Sequence, residues 1–227
     1  MAKACFSGDF LRFLKDLKVH NNRDWFQENK ERYEKNVRDP FLEFLTDLGP
    51  ELKKIAPHYV VDARPVGGSM MRIHRDIRFS KDKSPYKTAI AAHFGRLKGE
   101  EQAPAFFLRL TPGDSGIGGG LWQPEPPVLK KVRDAIVDQP KKWQKVTSDR
   151  ELRSACGFVG ESLKRPPPGY DPGHPFVEDL KRKDFAMTHA LSDKEVTSAT
   201  FLETAVEALR STKPFLAFLA EAVGTEL

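Results

Sequence analysis

The residues from 72 to 87, RIHRDIRFSKDKSPYK, carry the side chains whose types and spacing could do chemistry. Six bases (Arg72, Arg75, Arg78, Lys81, Lys83, Lys87) stand against two acids (Asp76, Asp82), a local net of +4 in a protein whose formal charge is +5. An excess this local, threaded with Ile73, Ile77, Phe79 and Tyr86, reads as part of a site rather than as general solubilisation. Guanidinium forks suit bidentate contacts to oxyanions, so the chemistry is recognition of a phosphate- or carboxylate-bearing ligand. Drawn as a regular strand, residues 69–79 put Ser69, Met71, Ile73, Arg75, Ile77 and Phe79 on one face. The other face carries Met70, Arg72, His74, Asp76 and Arg78, each roughly 7 Å from the next, so that Arg72, His74 and Arg78 line up with Asp76 between the last two. The first face is apolar except for Arg75, which turns towards the core and needs a carboxylate or carbonyls around it. Arg109, beside Phe106, Phe107, Leu108 and Leu110, repeats that pattern less cleanly. Two arginines on apolar strands imply either buried ion pairs or a charged pocket cut into the sheet.

The candidate ligand-binding set is therefore Arg72, Arg75, Asp76, Arg78, Lys83, Tyr86 and Lys87. Three functions compete for it. The first is an anion-binding module. The second is an enzyme in which Arg72 and Arg78 orient a small anion, Asp76 or His74 serves as base and Tyr86 donates a proton. The third is a structural or interaction protein whose arginines make internal ion pairs. The anion site leads, with binding and catalysis both open. Nucleic acid is a secondary reading: the sequence pI is about 9.1, but a DNA binder shows a broader basic footprint. A second basic stretch, +4 over residues 128–153, would have to converge in space with the first.

Other motifs carry less. Gly113-Asp114-Ser115-Gly116 has the letters around a trypsin-like nucleophile, but a turn accounts for them and the helical first third opposes that fold. The run Gly116-Ile117-Gly118-Gly119-Gly120 lacks the Gly-Lys-Ser/Thr ending of a P-loop, so its glycines let a neighbour pack closely, with Trp122 filling the core. The six histidines show no metal-ligand spacing. His74 and His93 could meet across adjacent strands, but no metal is assigned and no cofactor is identified. Cys5 and Cys156 are too few for a disulfide framework, which points to a reducing cytoplasm. No apolar run approaches the roughly 18–20 residues of a membrane span, and charged residues interrupt the N-terminal stretch that a secretory signal would occupy.

The elements that must position the basic segment follow from periodicity. Ser7 caps a helix bearing Phe10, Phe13, Leu14 and Leu17, and His20-Asn21-Asn22 breaks it and caps the next. A long charged helical stretch then runs from residue 23 to about 56, with kinks or breaks expected at Pro40 and Gly49-Pro50. Strand patterns follow at residues 67–79, 88–96, 104–111 and 117–122, the last two joined by the turn 112–116. This is a meander, so antiparallel pairing is expected. Helices return at 126–137 and 141–155, and the proline-rich run 165–175 reads as an extended strap. A last strand falls within 183–191. Thr200 and Glu203 read as a capping box for a C-terminal helix, with a further short helix starting at Pro214. The fold class is α+β: a mostly antiparallel sheet from the middle of the chain, packed against N- and C-terminal helices in a single domain over residues 1–227.

The spacing Arg-x-x-Arg-Asp-x-Arg-Phe, followed by Asp-Lys and Tyr, is supplied here by Arg72, Arg75, Asp76, Arg78, Phe79, Asp82, Lys83 and Tyr86. It resembles the signature of domain-of-unknown-function family 2461. The stretches Asn22-Arg23-Asp24-Trp25-Phe26, Asn29-Lys30 and Gly118-Gly119-Gly120-Leu121-Trp122-Gln123-Pro124 extend the resemblance over nearly the whole chain. It implies a soluble, mostly bacterial type of protein. The family has no established activity, so the resemblance implies no catalytic residues.

Overall fold

Alternation of large apolar and small or polar residues builds the sheet. The computed structural model describes residues 4–78, 81–96 and 102–227. In β1 (Ile90–Phe94) and β2 (Ala105–Leu110) the pairs Ile90–Leu110, Ala92–Leu108 and Phe94–Phe106 lie opposite one another and are buried. β2 turns through residues 112–114 into β3 (Ser115–Leu121), completing the expected meander. β4 (Gly157–Val159), too short to leave a periodic signal, forms the far edge. β5 (Phe185–Leu191) inserts between β3 and β4, so the order is β1-β2-β3-β5-β4 with every pairing antiparallel. The fold is α+β, as the patterning implies.

Helices precede this sheet, fall between β3 and β5, and follow it. α1 (Gly8–Val19) is followed by α2 (Arg23–Glu28), whose start Asn22 caps by accepting the Trp25 N–H at 2.9 Å. After α3 (Lys30–Tyr33) comes a π-helical turn, Glu34–Arg38, leading into α4 (Asp39–Ile55). The turn lies where the ring of Pro40 would crowd the carbonyl of Asn36, so the wider register absorbs the clash. The break expected at Gly49-Pro50 is absent: α4 runs through both residues, held by Phe44, Leu45, Leu48, Leu52 and Ile55 buried on either side.

α5 (Pro126–Asp138), α6 (Pro140–Thr147) and α7 (Arg150–Ala155) lead to β4, and α8 (Val177–Leu180) follows the proline-rich strap. Ser192 and Glu195 make the reciprocal capping box that opens α9 (Asp193–Val196), where Thr200 and Glu203 were the expected pair. Thr200 instead shares a hydrogen bond with Ser198 (2.9 Å) and caps nothing with its side chain. α10 (Phe201–Val223) is one helix, not two. Its apolar stripe (Phe201, Ala205, Leu209, Thr212, Phe215, Leu216, Leu219) continues in phase past Pro214, so packing outweighs the missing hydrogen bond.

α10 packs over β3, and the glycines make that possible. A Cβ on Gly119 would come within 2.7 Å of Leu216 Cδ1, and one on Gly118 would collide with the Met187 carbonyl of β5. Trp122 does not fill the core: it stands at the end of β3, 59% exposed. The positive φ of 48° at Gln123, rare for a residue with a Cβ, lets the chain turn there, and the Gln123 N–H donates to buried Asp184 at 2.8 Å. The core place is taken by Trp143, fully buried among Phe158, Phe185, Phe215 and Phe218.

Candidate functional site

The basic segment is an arm laid along the outer edge of β1 rather than a strand. Met70 bridges Ala92, the Met71 N–H donates to the Ala91 carbonyl (2.8 Å), and the His93 N–H donates to Ser69 (3.0 Å). The arm then leaves the sheet and folds on itself. His74 lies opposite Tyr86, the Arg75 N–H donates to Pro85 (2.9 Å) and the Lys87 N–H donates to Ile73 (2.8 Å). The expected alternation survives from Arg72 to Arg78, where Ile73 is buried while Arg72, His74, Asp76 and Arg78 are exposed. It fails at the start, where Met70 is buried and Met71 is 48% exposed, because the pairing to β1 sets a different phase there. Phe79 lies outside the described residues.

Two devices fix the arm to the helices. The Asn21 side chain donates Nδ2–H to the Tyr86 carbonyl (3.0 Å) and accepts the Tyr86 N–H on Oδ1 (3.1 Å), imitating one rung of a β-ladder. The Tyr86 ring, 2% exposed, stacks on Phe26 of α2 at a centroid distance of 4.0 Å and lies 5.3 Å from the His74 ring. Tyr86 thus sits in the core beneath the site. Asn21 and Phe26 were not among the candidates, since an Asn after a helix reads as a helix break and a helical Phe as core.

The charges sort into engaged and free. Arg78 forks onto both oxygens of Asp76 (Nε–Oδ1 3.0 Å, Nη2–Oδ2 2.7 Å), which holds the Asp76 carboxyl below its usual range, with Arg72 adding its field. Arg75 finds the carboxylate it needs in Asp82 (Nη1–Oδ2 2.9 Å), yet its side chain stays 30% exposed and its buried Nε has no acceptor. The Ser84 N–H donates to Asp82 Oδ1 (2.9 Å) and holds that carboxyl low. Lys83 donates to the Ile77 carbonyl (2.9 Å), closing the loop. Lys87 shares a face of the folded arm with Arg75 as a diagonal neighbour, a spacing of about 7–8 Å. Partial burial, then repulsion from Arg72 and Arg75, push the Lys87 ammonium below its ordinary pKa. Among the described residues neither Arg72 nor Lys87 has a carboxylate partner.

Several expectations resolve elsewhere. Arg109 is exposed, not core-directed: it lies on the solvent side of β2 and bonds Asp114 across the hairpin (2.8 Å). His74 lies opposite Tyr86 and His93 opposite Phe107, and among the described residues no three His, Cys, Asp or Glu side chains are grouped to hold a metal. The arm runs along β1, whereas the second basic stretch lies in α5–α7, which pack against α10. In the second stretch Lys130 pairs with Asp134, Lys142 with Glu221, and Arg133 is buried. A shallow hollow of about 520 Å³ lies between α1 and α9, lined by Leu11, Arg12, Lys15, Asp193, Lys194 and Thr197, none of them from the arm. Among the described residues no helix is long and apolar enough to cross a membrane.

No curated protein and no solved structure matches the chain. Residues 9–218 match the profile of the conserved hypothetical protein family DUF2461, and the chain belongs to that family.

Proposed function

We propose that the arm over residues 72–87 is an anion-binding site in which Arg72, Arg75 and Lys87 converge on the ligand. The observation that carries this reading is the arm's unspent cationic capacity. Arg75 keeps a buried Nε without an acceptor, beside Lys87, while both acids of the arm are already engaged. A buried unmade donor costs about 1–3 kcal/mol, and crowding cations adds to that cost; an arriving anion relieves the crowding. Asn21, Phe26 and Tyr86 act as the platform, and Arg78 with Asp76 stiffens the arm's outer loop. Two free cysteines support a reducing, cytoplasmic setting. A nucleic-acid groove would need a longer basic track than the arm provides.

The test is thermal unfolding of the wild type and of Arg72→Ala with Lys87→Ala, against phosphate, sulfate and carboxylates at constant ionic strength. Ligand at 100 times its dissociation constant adds about 2.7 kcal/mol, several degrees for a chain of this size. A shift in the wild type that the double variant loses supports the site. The absence of a shift with any small anion refutes it and leaves the arginines as structural ion pairs.

A further inference from the structure

Outside the arm, one cation is buried without a counter-charge. On α5, Arg133 faces inward with Val128, Val132 and Ile136 and is 9% exposed. Its Nη2 donates to the Arg182 carbonyl (2.9 Å), yet its buried Nε has no acceptor. Among the described residues no carboxylate pairs with it. Asp134, the next residue on α5, is engaged by Lys130 (2.6 Å) and by the Tyr170 hydroxyl (2.8 Å). Asp179 is engaged by Arg182 (3.1 Å) and by the Trp143 indole N–H (2.9 Å). Burial lowers the pKa of Arg133, and only the Tyr170 phenol acts in the other direction. Buried charges are ordinarily paired, so an uncompensated guanidinium with an unmade donor marks a place that a ligand fills. We propose that Arg133 anchors a second anion site, closed by the proline-rich strap, that takes a carboxylate group. A guanidinium has five N–H donors in a planar fork, and a carboxylate fits that fork through both oxygens. One buried charge matches a carboxylate better than a phosphate dianion, which would bring a second charge under the strap. Tyr170 is the latch. Gly169, at a φ of 87°, turns the strap into it, and its bond to Asp134 holds the strap down beside Arg133. Nε is shut off from solvent in this closed form, so the ligand enters when Tyr170 releases Asp134.

The experiment is thermal unfolding of the full chain carrying Arg72→Ala and Lys87→Ala, which disable the arm, with acetate exchanged for chloride at fixed ionic strength. Acetate at about 100 times its dissociation constant should raise the midpoint by several degrees. Adding Arg133→Met should abolish that rise. Arg133→Lys, which keeps the charge but not the fork, should keep a smaller one. Tyr170→Phe removes the latch and should tighten acetate binding several-fold by calorimetric titration, because less of the protein is closed. That variant decides the matter if Arg133→Met does not fold. No rise with acetate in the arm-disabled protein, a rise that survives Arg133→Met, or an affinity unmoved by Tyr170→Phe overturns this site and leaves the arm's reading standing. An equal rise with phosphate overturns the assignment to a carboxylate.

Discussion

Replacing Asn21 by alanine tests how the arm is held. The side chain makes two hydrogen bonds to the Tyr86 backbone, at 3.0 and 3.1 Å, and Tyr86 is 2% exposed, so water cannot readily replace them. Each bond is worth about 1 kcal/mol net, and two stranded backbone groups raise the loss to about 2–4 kcal/mol. For a chain of this size that lowers the melting midpoint by roughly 4–16 °C. Urea unfolding should show a lower midpoint with an unchanged slope. The loss should concentrate locally: in hydrogen exchange the amides of Arg75, Tyr86 and Lys87, all bonded within the arm or to Asn21, should lose protection before those of β2 and β3. Asn21→Asp keeps the acceptor but sets a carboxylate oxygen against the Tyr86 carbonyl, so it should not restore the lost stability. An Asn21→Ala protein with wild-type stability to within about 0.5 kcal/mol and unaltered exchange at Tyr86 would refute the clamp.

Asp82→Asn removes the carboxylate that occupies Arg75 and should tighten sulfate binding several-fold by titration, with little change in melting, because Asp82 is largely exposed. Lys87 has a folded-state pKa below its unfolded value, so the penalty for its charge is fully present below the folded pKa and is relieved as pH rises towards 10.5. Lys87→Gln should therefore be the more stable protein at neutral pH, and denaturant melts should show the gap closing as pH climbs. Gly118→Ala drives a methyl into the Met187 carbonyl and the backbone of Thr188, and should cost about 3 kcal/mol or prevent folding, read by circular dichroism. Trp143→Ala should cost about 3–5 kcal/mol in urea unfolding, whereas Trp122→Ala should change stability by less than about 0.5 kcal/mol.

Strands with clear alternation were legible: β1, β2 and β5 fall within the stretches that residue periodicity marks, while β3 begins two residues early, at Ser115 inside the expected turn. β4 was not, because three residues carry no period, and its partner β5 comes some 25 residues later. Pro50 and Pro214 misled for one reason: local chemistry says break, while an apolar stripe on both sides keeps the helix whole. Trp122 misled for a related reason, since burial depends on what packs across a residue and not on its size. In the basic segment the residues and their outward alternation could be read from Arg72 to Arg78. Their pairing could not, because Asp76 with Arg78 and Asp82 with Arg75 are choices set by how the arm bends.

The position of the arm has a consequence for how the protein stays dispersed. β1 is the outermost strand on its side, and Ile-Ala-Ala-His-Phe is a short sequence of the kind that recruits other chains edge to edge. Residues 69–71 take up the Ala91 carbonyl and the His93 N–H on its outward side, and the cations that follow repel a second copy. The same segment thus guards an edge against self-association. Substitutions that only neutralise its charges should spare that guard, and those that pull its backbone away from β1 should make the protein aggregate before it unfolds.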